Sequence, residues 1–467
     1  MIERAELEKL LSVALSGGGE LADLFLERRE GNLILCEEDR IERVGSGCDQ
    51  GAGVRVVAGE TTAYAYTNDL SPEGLRAACR AVAQAVRAGA GECRIELRRR
   101  EPDLEFPVEV PPWEVALQEK VELVRRANEA ARRCDPRIKQ VTVAFRESRQ
   151  EVWLASSAGY FCQDQRVRVN LAVNAVAAEG GRIQTGYESA GGHCGLELFR
   201  TSPPEELARR AAERALLMLQ ARPAPTGRMP VVMAGAAGGT MVHEACGHGL
   251  EADLVQKGLS VYQGRLGEVV ASPLVTVVDD PTLPGKYGSY RLDDEGTPAQ
   301  RKVLIERGVL KDYLYDLVWG RRAGRASNGN GRRESYHFPP LPRMSNTFIL
   351  PGEEDPEEII AQTKRGLYVV RMGGGEVNTA NGDFVFEVSE GYLIEDGRIK
   401  GPVRGATLTG NGPRALAMVD RVGNDLGFTI GTCGKDGQGV PVADAQPTIR
   451  ITELIVGGTL DEGGEGR

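Results

Sequence analysis

The pattern of apolar and polar positions divides this chain into two parts. In the first, short apolar or alternating runs at Leu33–Cys36, Gly53–Val57 and Thr61–Tyr66 predict strands. Helical spacing follows Ser71-Pro-Glu-Gly74, where a serine N-cap and a proline at the first helical position open a helix predicted to run to about Ala88. Further helices are predicted over roughly Trp113 to Arg133 and from Pro204 to Gln220. Between them, Gln140–Phe145, Glu151–Ala155 and Val167–Val173 predict an antiparallel meander, because the intervening residues are too few for a crossover helix.

Ala221-Arg-Pro-Ala-Pro-Thr-Gly227 sets two prolines and a glycine between a helix and a strand, which makes it the best boundary. Beyond it the pattern is mostly β. Met229–Gly235 reads as a buried strand, and the small residues Ala236–Val242 can pack a helix tightly against a sheet. Val303–Leu310 and Gly391–Ile399 each place apolar runs around a glycine-containing turn and predict hairpins. Glycine-rich stretches at Gly373–Gly375, Gly405–Gly412 and Gly431–Gly439 lack the strand-to-helix context of a dinucleotide site and read as turns lining a cleft. The expected fold class is α+β: a mixed N-terminal domain with an antiparallel sheet over residues 1–222, then a β-rich domain over 223–467 carrying one metal-binding helix.

Composition supports that division, since 467 residues exceed the size at which a single core stops growing and 41% hydrophobic residues can fill two. The net charge of −10 disfavours direct nucleic-acid binding. Basic runs do occur: Arg98–Arg100 reads as a solvated edge, while Arg321-Arg322 and Arg332-Arg333 flank a Gly/Asn/Ser-rich loop that can hold a carboxylate. No stretch approaches the ~20 apolar residues of a membrane span, and the amphipathic start Met1–Leu11 lacks a signal peptide's apolar region, so a cytoplasmic address is expected. Nine scattered cysteines, an odd number, fit a reducing compartment.

The candidate chemistry lies in His243-Glu244-Ala245-Cys246-Gly247-His248, which uses two of four histidines. A regular α-helix places residues i and i+4 about 40° apart but i and i+5 about 140° apart, so these two rings cannot share one ion from a straight helix. Either a single π-turn or a helix ending near Gly247 is needed. A catalytic zinc site takes three protein ligands and keeps one position open. For the third, Glu251, Asp253, His193, His337, Cys246 and Cys433 are candidates. Cys246 is expected to pack away from the rings. Cys433 lies in Gly431-Thr-Cys-Gly-Lys-Asp-Gly-Gln438, where the glycines permit close approach and Lys435 can favour a thiolate.

The segments His243–Asp253, Asp293–Ala299, Pro342–Thr347, Gly382–Phe386, Ser389–Ile394 and Gly431–Gln438 together resemble the TldD/PmbA metallopeptidases, through the whole second half and more loosely through the first. The resemblance implies Zn2+ held by His243, His248 and Cys433. It also implies a heterodimer with a non-catalytic TldE/PmbA paralogue lacking the histidine motif, the pair enclosing a protected cavity; a homodimer stays open. Glu334–Pro340 departs from the family pattern, so no substrate role is carried to His337.

The function expected on this basis is hydrolysis of peptides or unfolded protein segments, with Glu244 the proton carrier rather than a ligand. Tyr287, Tyr290 and Arg291 are candidate groups for the substrate oxyanion. The rival readings are a regulatory or binding protein with a structural metal, including the modulation of DNA gyrase that the family resemblance implies, and a thiol hydrolase built on Cys433 and a histidine.

Overall fold

A computed structural model describes residues 3–86 and 95–458. In the first half, Leu21–Glu37, Arg40–Ala58, Ile138–Ser156 and Tyr160–Glu179 form strands of 17 to 20 residues. With Thr61–Thr67, Arg98–Arg100 and Arg182–Gly192 they make a seven-stranded sheet, antiparallel except for Arg98–Arg100. Successive side chains of a strand point to opposite faces. Leu24, Leu26 and Ile34 meet helices: Arg4–Ala14 and Pro72–Ala85 at one end, Leu117–Arg133 and Pro204–Gln220 at the other. Phe25, one residue out of phase, packs with Val152, Leu154, Leu292 and Tyr336 instead. One face therefore carries the helices and the other receives the second half of the chain.

The third helix forms as the sequence predicts, from Pro204 to Gln220. The first has Ser71 as its cap, with the hydroxyl accepting from Gly74 N at 3.1 Å, and its expected end at Ala88 lies outside the described residues. The predicted meander is corrected. Gln140–Phe145 and Glu151–Ala155 belong to one strand, because the polar run Arg146–Gln150 pairs on both sides without a break. Its polar groups find buried partners: Glu147 takes Lys120 Nζ of the helix Leu117–Arg133 at 2.6 Å, and Gln150 Nε2 donates to Glu27 of the neighbouring strand at 2.9 Å.

The second half builds two large sheets and a two-stranded one, Gly331–Arg332 with Leu341–Pro342. Eight strands include Gly227–Met233, Arg365–Asn378, Asp383–Glu395, Thr407–Asn411 and Ile449–Gly457, and six include Val277–Asp279, Thr347–Ile349, Gly427–Lys435 and Gln438–Gln446. Both predicted hairpins form; Asp396 and Gly397 turn with positive φ, as do Arg307 and Gly308. Val231, Met233, Val277, Leu304, Phe384, Phe386 and Ile449 from the two sheets share one core with Met241, Val242, Ala245, Cys246 and Leu250 of the histidine segment. The glycine-rich stretches are strands more than turns. Gly373–Gly375 lies in Arg365–Asn378 where its register against Asp383–Glu395 slips, and Gly431 to Gly434 run inside Gly427–Lys435.

Where the halves meet, Arg55 is fully buried between Asp23 and Glu295, at 2.6 Å from each. Arg333 lies beside Asp23 and donates its backbone N–H to Asp294 at 2.8 Å. The carboxylates that this second basic run holds are thus the protein's own.

Candidate metal centre

Gly227–Met233 delivers the chain through a tight turn at Gly235–Ala237 into Thr240–Val242, one helical turn, and then into a π-helix over His243–Gly247. His248 N–H donates to His243 O, an i→i+5 bond that supplies the extra residue the motif spacing requires. Gly247 is where Met344 crosses: a Cβ there would lie 2.0 Å from the Met344 sulfur. With the turn widened, the two imidazoles come to a centroid separation of 4.9 Å at 86°.

Cys433 arrives on the strand Gly427–Lys435, and its Sγ stands 3.4 Å from His248 Nε2. The donor atoms of His243, His248 and Cys433 all lie within 4.8 Å of one another. Each ring's other nitrogen faces a buried carboxylate: His243 Nδ1 is 3.0 Å from Asp444 Oδ2, and His248 Nδ1 is 3.0 Å from Glu251 Oε2. Carboxylates at that position fix ring orientation and raise the basicity of the free nitrogen. Two imidazoles and a thiol, converging and so braced, fit a zinc ion.

The electrostatics agree with a cation site. Burial by itself would raise the Cys433 thiol, but the charges of His243 and His248 outweigh it and hold the thiol well below its ordinary range. Burial would lower His248, yet Glu251 and Cys433 bring it up to about 10. Glu244 is raised by burial, partly opposed by the two histidines. Its carboxylate lines the same cavity, of about 600 Å³, as the three donors and has no hydrogen-bond partner among the described residues.

Other expected residues lie elsewhere. Lys435 does not serve the thiol: its Nζ sits on Asp253 at 2.7 Å and Glu251 at 3.0 Å, so it neutralises the carboxylate behind His248. Gly431 and Gly434 do not enable the approach of Cys433 by their size, since a Cβ at Gly434 would meet nothing; the hairpin register does. Cys246 bonds Val242 O at 3.3 Å and packs, as expected. His193 Nδ1 donates to Ser289 O at 3.1 Å, and His337 stacks on Tyr336. The oxyanion candidates are not brought to the metal cavity. Tyr290 is buried with its hydroxyl on Gly329 O at 2.6 Å, Arg291 holds Asp164 at 2.7 Å, and Tyr287 accepts from Asn170 at 2.8 Å. Asp444 escaped the sequence reading, although a lone carboxylate in the apolar run Val440-Pro-Val-Ala-Asp444-Ala was a signal for it.

Comparison with known proteins fits this geometry. The chain matches the PmbA/TldA metallopeptidase domain 1 over residues 22–88, the central domain over 110–219 and the C-terminal domain over 226–458. It belongs to the TldD/PmbA metallopeptidase family. The metalloprotease TldD homolog of Haemophilus influenzae is 36% identical over 449 residues, covering 94% of this chain and 93% of that protein. A zinc metalloprotease TldD homolog of Saccharolobus solfataricus is 26% identical, covering 96% and 99%. TldE from Thermococcus kodakarensis shares the fold, with a TM-score of 0.77 at 20% identity over 97% of this chain and all of that one.

Proposed function

We propose that the protein is a zinc-dependent peptidase that hydrolyses peptides or unfolded protein segments with a metal-activated water. One observation carries the reading: the donors of His243, His248 and Cys433 converge on a cavity that Glu244 also lines. Three protein donors leave a fourth position for water, as in catalytic rather than structural zinc sites. Zinc held there supplies Lewis acidity to the water and the scissile carbonyl. Glu244 takes the proton from the water and delivers it to the leaving amine, and a carboxyl raised by burial suits both transfers. Asp444 and Glu251 keep His243 and His248 aimed, while Lys435 offsets the charge that Glu251 brings.

The wider expectations keep the same form. The partner is a non-catalytic TldE/PmbA paralogue or a second copy of this chain, enclosing the cavity so that only extended segments enter; the TldE likeness supports a common subunit fold. Two domains, 1–222 and 223–467, are supported by family matches that end at 219 and resume at 226. A cytoplasmic address is supported by eight free cysteines among the described residues. No described helix is long and apolar enough to cross a membrane, and the acidic balance disfavours nucleic acid.

The 3.4 Å contact of Cys433 with His248 also resembles a thiolate–imidazolium pair, so a cysteine nucleophile is the second reading. Metal analysis before and after chelation, coupled to cleavage of an unstructured peptide, separates them. The zinc reading expects activity to vanish with the metal and return with added zinc. Hydrolysis that survives complete metal removal moves the chemistry to Cys433, and bound zinc without hydrolysis leaves a structural metal.

A further inference from the structure

Beside the metal cavity lies a second one of about 730 Å³, and Thr240 and Gly374 line both. Thr240 opens the helical turn that leads into His243, so the two spaces share a wall at the metal segment. The second cavity is basic in an acidic protein: its lining carries Arg210, Lys286 and Arg371 against the single carboxylate of Glu188. Two of those cations are already engaged. Arg371 bonds both oxygens of Glu188, at 2.9 and 3.0 Å, and Arg210 bonds Glu206 at 3.0 Å.

Lys286 differs. Among the described residues no carboxylate pairs with it, and its ammonium rests 3.9 Å from the centre of the Phe428 ring. It is half-buried, and burial alone lowers its pKa from the ordinary lysine value. A partly desolvated ammonium without a counter-charge is costly, and an aromatic face offsets only part of that cost. A carboxylate entering the cavity would gain a charge-assisted hydrogen bond from a donor with no competing acid.

We propose that this cavity is a carboxylate-binding subsite anchored by Lys286, which takes the C-terminal carboxylate or an Asp or Glu side chain of a peptide that extends past the metal centre. The assignment rests on the peptidase reading for its choice of peptide as ligand. It would make the protein favour segments carrying a negative charge at a fixed distance from the bond being cut.

The test measures binding of dansyl-labelled, unstructured peptides to full-length, zinc-loaded protein carrying Glu244→Gln, so that the peptides stay whole. One pair differs in a C-terminal carboxylate against a carboxamide, the other in one internal Glu against Gln. At least one acidic member should bind about fivefold or more tighter than its neutral counterpart. Adding Lys286→Met should abolish that preference, and Lys286→Arg should retain it. The pair that shows the preference identifies the source of the carboxylate. Equal or undetectable binding of acidic and neutral members, or a preference that persists with Lys286→Met because the carboxylate sits on the metal, would overturn the proposal. Cleavage of the same peptides by the unmodified protein is scored separately, so a lack of hydrolysis with the preference intact counts against the peptidase and not against the subsite.

Discussion

His243 and His193 are both buried imidazoles, and their surroundings push them in opposite directions. Burial disfavours the charged ring in each. At His243 the carboxylate of Asp444 and the thiolate of Cys433 overcome that and raise the ring well above its ordinary pKa. At His193 the next largest influence is Arg168, which adds to burial and brings the ring down to about 3. The first environment gathers negative charge around a cluster of donors. The second satisfies a neutral ring with a backbone carbonyl and the edge of Phe106, in a junction whose arginines also bond carbonyls. Burial is common to both, so the difference teaches that the neighbours' charge decides which imidazole is prepared for a cation.

The comparison can be broken hardest at Glu244. Glu244→Gln is expected to keep zinc and to lower peptide hydrolysis by about 10²–10⁴-fold, because an amide cannot take the water's proton. A near wild-type rate in the metal-loaded variant removes Glu244 from the mechanism. Cys433→Ser is expected to lose most of its zinc, and activity with it, while circular dichroism stays close to wild type, since a serine hydroxyl remains protonated near neutrality. Full zinc occupancy there, or a metal-loaded structure with Sγ more than about 4 Å from the ion against the ~2.3 Å of a zinc–thiolate bond, returns the third position to another residue.

Asp444→Asn sharpens the comparison, because it removes the charge from beside His243 while leaving a carbonyl to accept from the ring. Zinc affinity by chelator competition should fall about 10–100-fold. An unchanged affinity would mean that the carboxylate is only a packing partner. The smallest effect is expected at His193. Its folded pKa lies below the ordinary 6.5, so its contribution to stability is complete above about 6.5 and is lost as pH falls toward about 3. His193→Gln should therefore lose less melting temperature than wild type between pH 7 and pH 4, at roughly 1 °C for each kcal/mol involved in a chain of 467 residues. Parallel curves would place the acid sensitivity elsewhere.

The metal segment was legible because its spacing was geometrically impossible for a regular helix, and only two backbone remedies existed. Glu244 was legible from its position next to the first histidine. What joins Cys433 to the histidines was not, since the contact depends on how two sheets place a hairpin beside the segment. Lys435 misled for a related reason: closeness in sequence to the thiol suggested a partnership, but a strand points neighbours two apart in the same direction without setting what faces each of them. The strand lengths were underestimated wherever polar runs interrupted the apolar pattern. Arg146–Gln150 reads as a break locally, yet it is paired on both sides and carries the internal ion pair of Glu147 with Lys120. Arg291 is engaged in joining the two halves through Asp164, and Tyr290 is tied down within the second half by Gly329.

The contact between Cys433 and His248 spans 185 positions of the chain, which sets an order in time as well as in space. A ribosome adding about 5–20 residues each second needs roughly 10–40 s to travel from one to the other. During that interval the nascent polypeptide holds both imidazoles and the glutamate but no thiolate to complete the set. An enzyme that cuts unfolded chains would thus be unarmed while it is itself an unfolded chain.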